Sequence, residues 1–382
     1  MKATDCMLRN IHFTALTLFA LFIATPALAA SSDQQLRGGH NQLPELVAHA
    51  DTSAGIENIQ ERREAVTEKA VLPLTWKIGE ASFTLSGLIE AEASFTHIEG
   101  SSKEDDLRLS TVQIGLETEF TPWLGGHVIG LWEDEDTEPM VVDEVVLSLT
   151  SPWQLGSQTP ALHLGRQYLP FGKFESNMIS DPLTLELGET HTTAALLALT
   201  GETWTASFGA FEGSVDDGDD GFDSWVASIE AAPHEGVTLG ASYISDLAES
   251  DAELVQDERL YRDAVAGWSA FVALRHGDFG LTAEYLAAVD RFKPEQVEGG
   301  EDLTGRRPQA WNLELTWQVL EQLQLTGRYE EANDYRADLR RYGASSSYGL
   351  CDYALLAVEY LHADARGEET SHTLMAQLAV EF

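Results

Sequence analysis

The feature that most constrains this chain is a two-residue hydrophobic period, which returns in runs of about ten residues from position 82 to the C-terminus. Phe83, Leu85, Gly87, Ile89, Ala91, Ala93 and Phe95 share one face. Thr84, Ser86, Glu90, Glu92, Ser94 and Thr96 take the other, with Leu88 the exception. The pattern recurs at Val112, Ile114, Leu116 and Phe120 against Gln113, Glu117 and Glu119. Trp311, Leu313, Leu315 and Trp317 alternate with Asn312, Glu314 and Thr316, and Leu323, Leu325, Gly327 and Tyr329 with Gln324, Thr326, Arg328 and Glu330. Successive strand side chains point to opposite faces, so these are extended segments with one apolar and one wet side. In a soluble sandwich the apolar side is the core; in a membrane barrel it faces lipid.

The start of the chain decides between the two. Lys2 and Arg9 precede the apolar run Ile11 to Ala24, and Ala27-Leu28-Ala29 supplies small residues, so residues 1–29 read as a secretory signal peptide. Nothing after residue 30 is long and apolar enough for a membrane helix. An exported chain of amphipathic strands points to a closed barrel, which leaves no backbone group unsatisfied in lipid. The last strand, Leu374, Ala376, Leu378, Val380 and the terminal Phe382, resembles the assembly signal of bacterial outer-membrane barrels. Cleavage of the leader would remove Cys6 and leave Cys351 alone, which predicts a chain without an internal disulfide.

Connections set the strand number. Short ones, such as Thr121-Pro122-Trp123, Ser151-Pro152-Trp153 and Gly201-Glu202, alternate with long polar ones at 97–106, 169–190, 214–221, 247–262, 291–307 and 364–370. Strands are expected near 82–96, 107–120, 125–133, 140–150, 160–168, 191–200, 203–213, 222–232, 237–246, 264–275, 279–290, 308–318, 322–333, 338–348, 353–363 and 371–382. The expected fold is all-β, a porin-like transmembrane antiparallel barrel of about 16 strands, with roughly 19 residues per strand and connection. Even parity requires 338–348 and returns the C-terminus to the periplasm. A barrel of this size encloses water rather than a packed core. Trp123 and Trp153, just after turn prolines, fit an interfacial girdle. The barrel spans 79–382, preceded by a periplasmic segment at 30–78. There Ile56, Ile59, Arg63, Val66 and Ala70 allow either a short trimerising coil or a loose lead-in. Arg166 falls in the outward phase set by Leu162 and Leu164, so a bulge turning it inward or a subunit interface is expected.

Charge and missing motifs exclude other classes. The chain carries 23 Lys+Arg against 63 Asp+Glu, a net charge of -40, which disfavours nucleic acid as a partner. A saline habitat accounts for the excess as well as a ligand does. Gly-x-Ser-x-Gly, His-Glu-x-x-His, Cys-x-x-Cys and phosphate-loop motifs are missing, so an enzyme is not expected, and neither is a cofactor. Asp216-Asp217-Gly218-Asp219-Asp220-Gly221 has carboxylates for calcium but lacks the EF-hand spacing; a solvated outer loop is the simpler reading, and no metal site is assigned.

The third long connection, 169–190, is too apolar to float in solvent. Leu169, Phe171, Phe174, Met178, Ile179, Leu183, Leu185 and Leu187 require burial. Folded into the lumen, the loop would narrow the pore and present Lys173, Glu175, Asn177, Asp181, Glu186 and Glu189 to it. The inward Glu117 and Glu119 would add to a negative lumen, with Arg328 as part of a compensating cationic track. Capping the barrel or packing at a subunit interface is the alternative for this loop. The stretch Pro170-Phe171-Gly172-Lys173-Phe174-Glu175-Ser176-Asn177-Met178-Ile179-Ser180-Asp181-Pro182-Leu183-Thr184-Leu185-Glu186-Leu187-Gly188-Glu189-Thr190 closely resembles a segment of the LbtU-type siderophore porins of Gram-negative bacteria. That resemblance implies an outer-membrane porin for ferric siderophore uptake. Its partners would be ferric siderophore or small solutes, outer-membrane lipid and the barrel assembly machinery, and a homotrimer is compatible with it. The alternative is a general diffusion porin with cation preference.

Overall fold

The computed structural model describes residues 74–100, 103–134, 140–213, 215, 222–255, 264–293, 305–336 and 338–382. The signal peptide, the helical segment around Ile56–Ala70 and the calcium alternative at 216–221 lie outside the described residues.

Seventeen strands follow in chain order: β1 (Leu74–Ile78), β2 (Ala81–Ile98), β3 (Lys103–Thr121), β4 (Leu124–Glu133), β5 (Val141–Thr150), β6 (Thr159–Tyr168), β7 (His191–Thr200), β8 (Trp204–Phe211) and β9 (Ser224–His234). Then come β10 (Val237–Ile244), β11 (Gly267–His276), β12 (Phe279–Ala288), β13 (Gln309–Leu320), β14 (Leu323–Asn333), β15 (Arg340–Cys351), β16 (Ala354–Asp364) and β17 (Ser371–Glu381). From β2 each strand pairs antiparallel with the next, and β17 pairs back onto β2 from Ser371↔Ile98 to Glu381↔Leu88. Sixteen strands therefore close into a barrel, and each coincides with a segment expected from the alternation. The additional β1 forms a hairpin on β2, from Leu74↔Leu85 to Ile78↔Ala81, in the lane left where β17 stops opposite Leu88.

Burial is inverted relative to a soluble protein. Ile89, Phe95, Ile114, Val145, Leu197, Phe208, Leu313 and Leu315 are exposed, while Glu90, Glu284, Glu314, Glu330, Glu359, Arg328 and Arg341 are buried. That inversion is what a lipid-facing exterior and a polar interior require. Aromatic pairs flank the aliphatic band. Trp225–Tyr243, Trp268–Tyr285 and Trp311–Tyr329 meet at 5.2, 5.2 and 5.4 Å near the long-loop end. Phe279–Trp317 and Trp76–Phe83 meet at 5.9 and 5.6 Å near the short-turn end, where Trp123 and Trp153 are exposed. Two such girdles mark the two interfaces of a bilayer.

The closing seam depends on one glycine. Gly87 donates its N–H to the Phe382 carbonyl at 2.8 Å, and the Phe382 N–H donates to the Gly87 carbonyl at 3.0 Å. A Cβ at Gly87 would overlap the Phe382 ring. Forcing atoms into a packed site costs about 1–3 kcal/mol. Gly87→Val should therefore lower the folded, heat-modifiable fraction on unboiled gels, and adding Phe382→Ala should restore it. Normal folding of the single variant would show that the ring is not needed at the seam.

Two expectations are corrected. The inward bulge is not seen at Arg166, which pairs with Val145 and Thr193 on the outward face. The irregularity sits one residue earlier, at Gly165, whose φ is 141°. Arg166 is two residues from the loop end of β6, so its long side chain reaches the headgroup zone and escapes the midplane cost. Cys351 is disulfide-bonded, where a chain without an internal disulfide was expected.

Candidate functional site

The loop between β6 and β7 folds into the barrel. Leu169 donates to the Thr190 carbonyl at 2.9 Å and closes its neck. All eight of its large apolar side chains are buried. The inner wall makes room for them with small residues, Ala288, Ala310 and Ala332, on three adjacent strands, and adds Phe211, Ile244 and Leu286 as packing partners. One short helix, α1 (Leu183–Gly188), starts after Pro182, which has no N–H to leave unsatisfied, and packs on β12, β13 and β14.

Polar contacts then fasten the loop to the wall. Each of four inward glutamates meets it at a different point. Glu284 on β12 accepts the Lys173 and Phe174 N–H groups at 2.7 and 2.9 Å, with Ser269 at 2.9 Å and Thr184 at 3.2 Å. Glu314 on β13 accepts from the Ser176 hydroxyl at 2.8 Å and from the Asn177 backbone and side chain at 2.8 and 2.9 Å. Glu359 on β16 takes the Ile179 N–H at 2.5 Å, the Ser180 N–H at 3.2 Å and the Ser180 hydroxyl at 2.5 Å. Glu330 on β14 takes the Leu183 N–H at 2.8 Å and the Arg341 Nε at 2.8 Å. Carboxylates that collect several donors are strong acceptors where water is excluded. Phe174 has a φ of 57°, a strained value for a bulky residue. The Glu284 carboxylate, bonded to its N–H, holds it there.

Two arginines complete the clamp. Arg341 Nη1 reaches Glu186 at 2.7 Å and its Nη2 the Asp181 carbonyl at 2.7 Å. Arg328 donates to the Ser176 hydroxyl and the Ser180 carbonyl at 2.8 Å, to the Ser180 hydroxyl at 2.7 Å and to the Asp181 carbonyl at 3.1 Å. Its Nε lies 3.2 Å from Glu330, an ion pair without hydrogen-bond alignment. Arg328 is only 3% exposed, so it fastens the loop and does not line a water path. The loop covering it is the reason.

The structure thus gathers Lys173, Asn177, Asp181, Glu186 and Arg328 into one network. Asp181 takes part through its carbonyl, and Asn177 also accepts from Gln324 at 2.8 Å. Glu175 is exposed and pairs with Lys173 at 3.2 Å; the same ammonium meets Glu230 at 3.1 Å and stands over Phe271. Glu189 is half-buried at the loop's end. Glu117 and Glu119 lie apart, on the inward face of β3, where Glu119 accepts from Ser82 at 3.0 Å. That stretch of wall, β2 to β6, is not covered by the network. It presents Glu92 with Arg108 at 3.5 Å, His127 with Glu144 at 3.4 Å, and His163 with Ser148 at 2.9 Å. Glu284, Glu359 and Arg341 were not anticipated from sequence; only their inward phase could have signalled them.

A closed antiparallel barrel of sixteen strands with its third loop folded inward is the fold of outer-membrane porins. Solved structures with this fold include the outer membrane channel DcaP of Acinetobacter baumannii, at 14% identity and a TM-score of 0.60 over 80% of this chain and 99% of that one. The anion-selective porin of Comamonas acidovorans matches at 13% identity and a TM-score of 0.59 over 79% of this chain and 100% of that one. OmpF of Salmonella typhi, in complex with daunomycin, matches at 12% and 0.55 over 81% and 100%. No family model matches the chain. By sequence it is similar to a UPF0422 protein of Coxiella burnetii, 25% identical over 247 residues, and to UPF0422 protein lpg2959 of Legionella pneumophila, 28% identical over 174 residues. The matches cover 61% and 40% of this chain but only 52% and 32% of those proteins.

Proposed function

We propose that this protein is a water-filled porin of the Gram-negative outer membrane, whose lumen admits small neutral and cationic solutes past the clamped 169–190 loop. The observation that carries this reading is the division of the inner wall. The strands from β10 to β16 hold the loop, and the uncovered wall from β2 to β6 carries Glu92, Glu117, Glu119 and Glu144, with Arg108 paired to Glu92. Acidic walls in a low-dielectric channel concentrate cations and repel anions.

Uptake of ferric siderophore is the second reading, and the resemblance of the loop motif supports it. In this chain, however, several of the motif's polar side chains are engaged in holding the loop: Ser176, Asn177 and Ser180 all bond to the wall. Their pattern is explained by loop docking without a ligand. Liposome uptake tests the two readings together. Proteoliposomes should admit a neutral ferric siderophore at the rate of a sugar of similar mass, without saturation. Saturable uptake of the siderophore, faster than that of the sugar, would establish the specific channel instead; exclusion of both would contradict a porin.

A further inference from the structure

Outside the lumen, the loop end of the barrel carries a row of titratable side chains across β15, β16, β17 and β2. Tyr342 is paired with His362, His362 with His372, and His372 with His97. They share the outward phase of exposed Tyr360, Leu374 and Phe95. The ring centroids of His362 and His372 are 4.8 Å apart, and those of His97 and His372 6.2 Å. The Nδ1 atoms of His362 and His372 face each other at 3.4 Å. The Tyr360 hydroxyl is 2.7 Å from the same His372 Nδ1, and His372 Nε2 lies 3.9 Å from a Glu99 oxygen.

We infer that His362 and His372 form a two-imidazole site for a divalent first-row transition ion, of the zinc, nickel or copper class, at the outer rim of the barrel. Imidazole nitrogens bind such ions at about 2.0–2.1 Å, and two ligands at a tetrahedral angle then stand about 3.3–3.4 Å apart. The observed Nδ1 separation meets that spacing. Tyr360 supplies an oxygen beside the pair. Glu99, 3.9 Å from the opposite ring nitrogen of His372, places a carboxylate behind the ring, on the side where carboxylates stand behind metal-bound histidines. Among the described residues no three His, Cys, Asp or Glu side chains converge on one point, so the remaining positions fall to water, and the Tyr360 hydroxyl gives up its bond to His372 Nδ1 when the ion binds. His362 and His372 are half-exposed, which leaves them accessible to an ion from outside. The surroundings select a cation. Glu99, Asp364, Glu368 and Glu369 lie on the adjoining strand ends and loop, against Lys103 opposite His97, Arg340 opposite Asp364 and Arg366 in the loop, which leaves the rim net acidic.

Copper is the probe, because Cu²⁺ binds nitrogen sites most tightly among these ions. Untagged full-length protein folded in detergent is titrated with Cu²⁺ and read by electron paramagnetic resonance, with zinc as competitor. The expected result is one ion per chain with hyperfine coupling to two nitrogens. His362→Ala with His372→Ala should weaken binding at least tenfold, while His97→Ala, in the same row, leaves it unchanged. Heat modifiability on gels confirms that each variant is folded. A signal from oxygen ligands alone, binding that persists in the folded double variant, or no saturable binding would overturn the site.

Discussion

Exchange of Glu314 and Glu359 for alanine is expected to free the 169–190 loop from the wall and raise single-channel conductance, with the barrel still folded. The two carboxylates together accept six hydrogen bonds from four residues of the loop, Ser176, Asn177, Ile179 and Ser180. Hydrogen bonds to charged groups contribute about 1.5–3 kcal/mol each, and donors left unsatisfied in a buried site cost a similar amount. Arg328 would lose a counter-charge at the same time, since its guanidinium and the Glu359 carboxylate attract each other. The apolar half of the loop, Leu183, Leu185 and Leu187, would still favour burial, so the change falls on the segment from Ser176 to Ser180. Planar-bilayer recordings read the conductance, and limited proteolysis between Pro170 and Gly188 reads the release. Unchanged conductance in a folded double variant would mean that these glutamates do not position the constriction.

The barrel was legible because lipid imposes its period on nearly every strand. Even β15, with Arg340, Arg341, Gly343 and three consecutive serines at 345–347, was found by parity where its own pattern was weak. β1 was not found. Leu74, Trp76 and Ile78 alternate with Thr75 and Lys77, but five residues are too few to stand out from the segment before them. Docking of the third loop was legible for the opposite reason: eight large apolar residues in one connection have nowhere else to go. The anchors were not. Glu284, Glu314, Glu330 and Glu359 share their inward phase with Glu90, Glu92 and Glu117, and periodicity does not say which of these the loop will cross. The same limit explains Arg328, expected beside the water path and found beneath the loop.

Fold alone does not set what such a channel prefers, since an anion-selective porin shares this barrel. The lining decides, and here it is acidic where the loop leaves it open. Lys173 is held between Glu175 and Glu230, and Arg341 between Glu186 and Glu330, so the cations near the loop are largely neutralised. Glu92, Glu117 and Glu144 on the open wall then govern the field an ion meets. The most direct test is the reversal potential of single channels in a potassium chloride gradient. A water-filled barrel with this lining gives openings whose reversal potential has the sign of potassium preference, reduced when Glu92, Glu117 and Glu144 are together replaced by glutamine. A chloride-selective reversal potential, or a folded protein that conducts nothing, would contradict it.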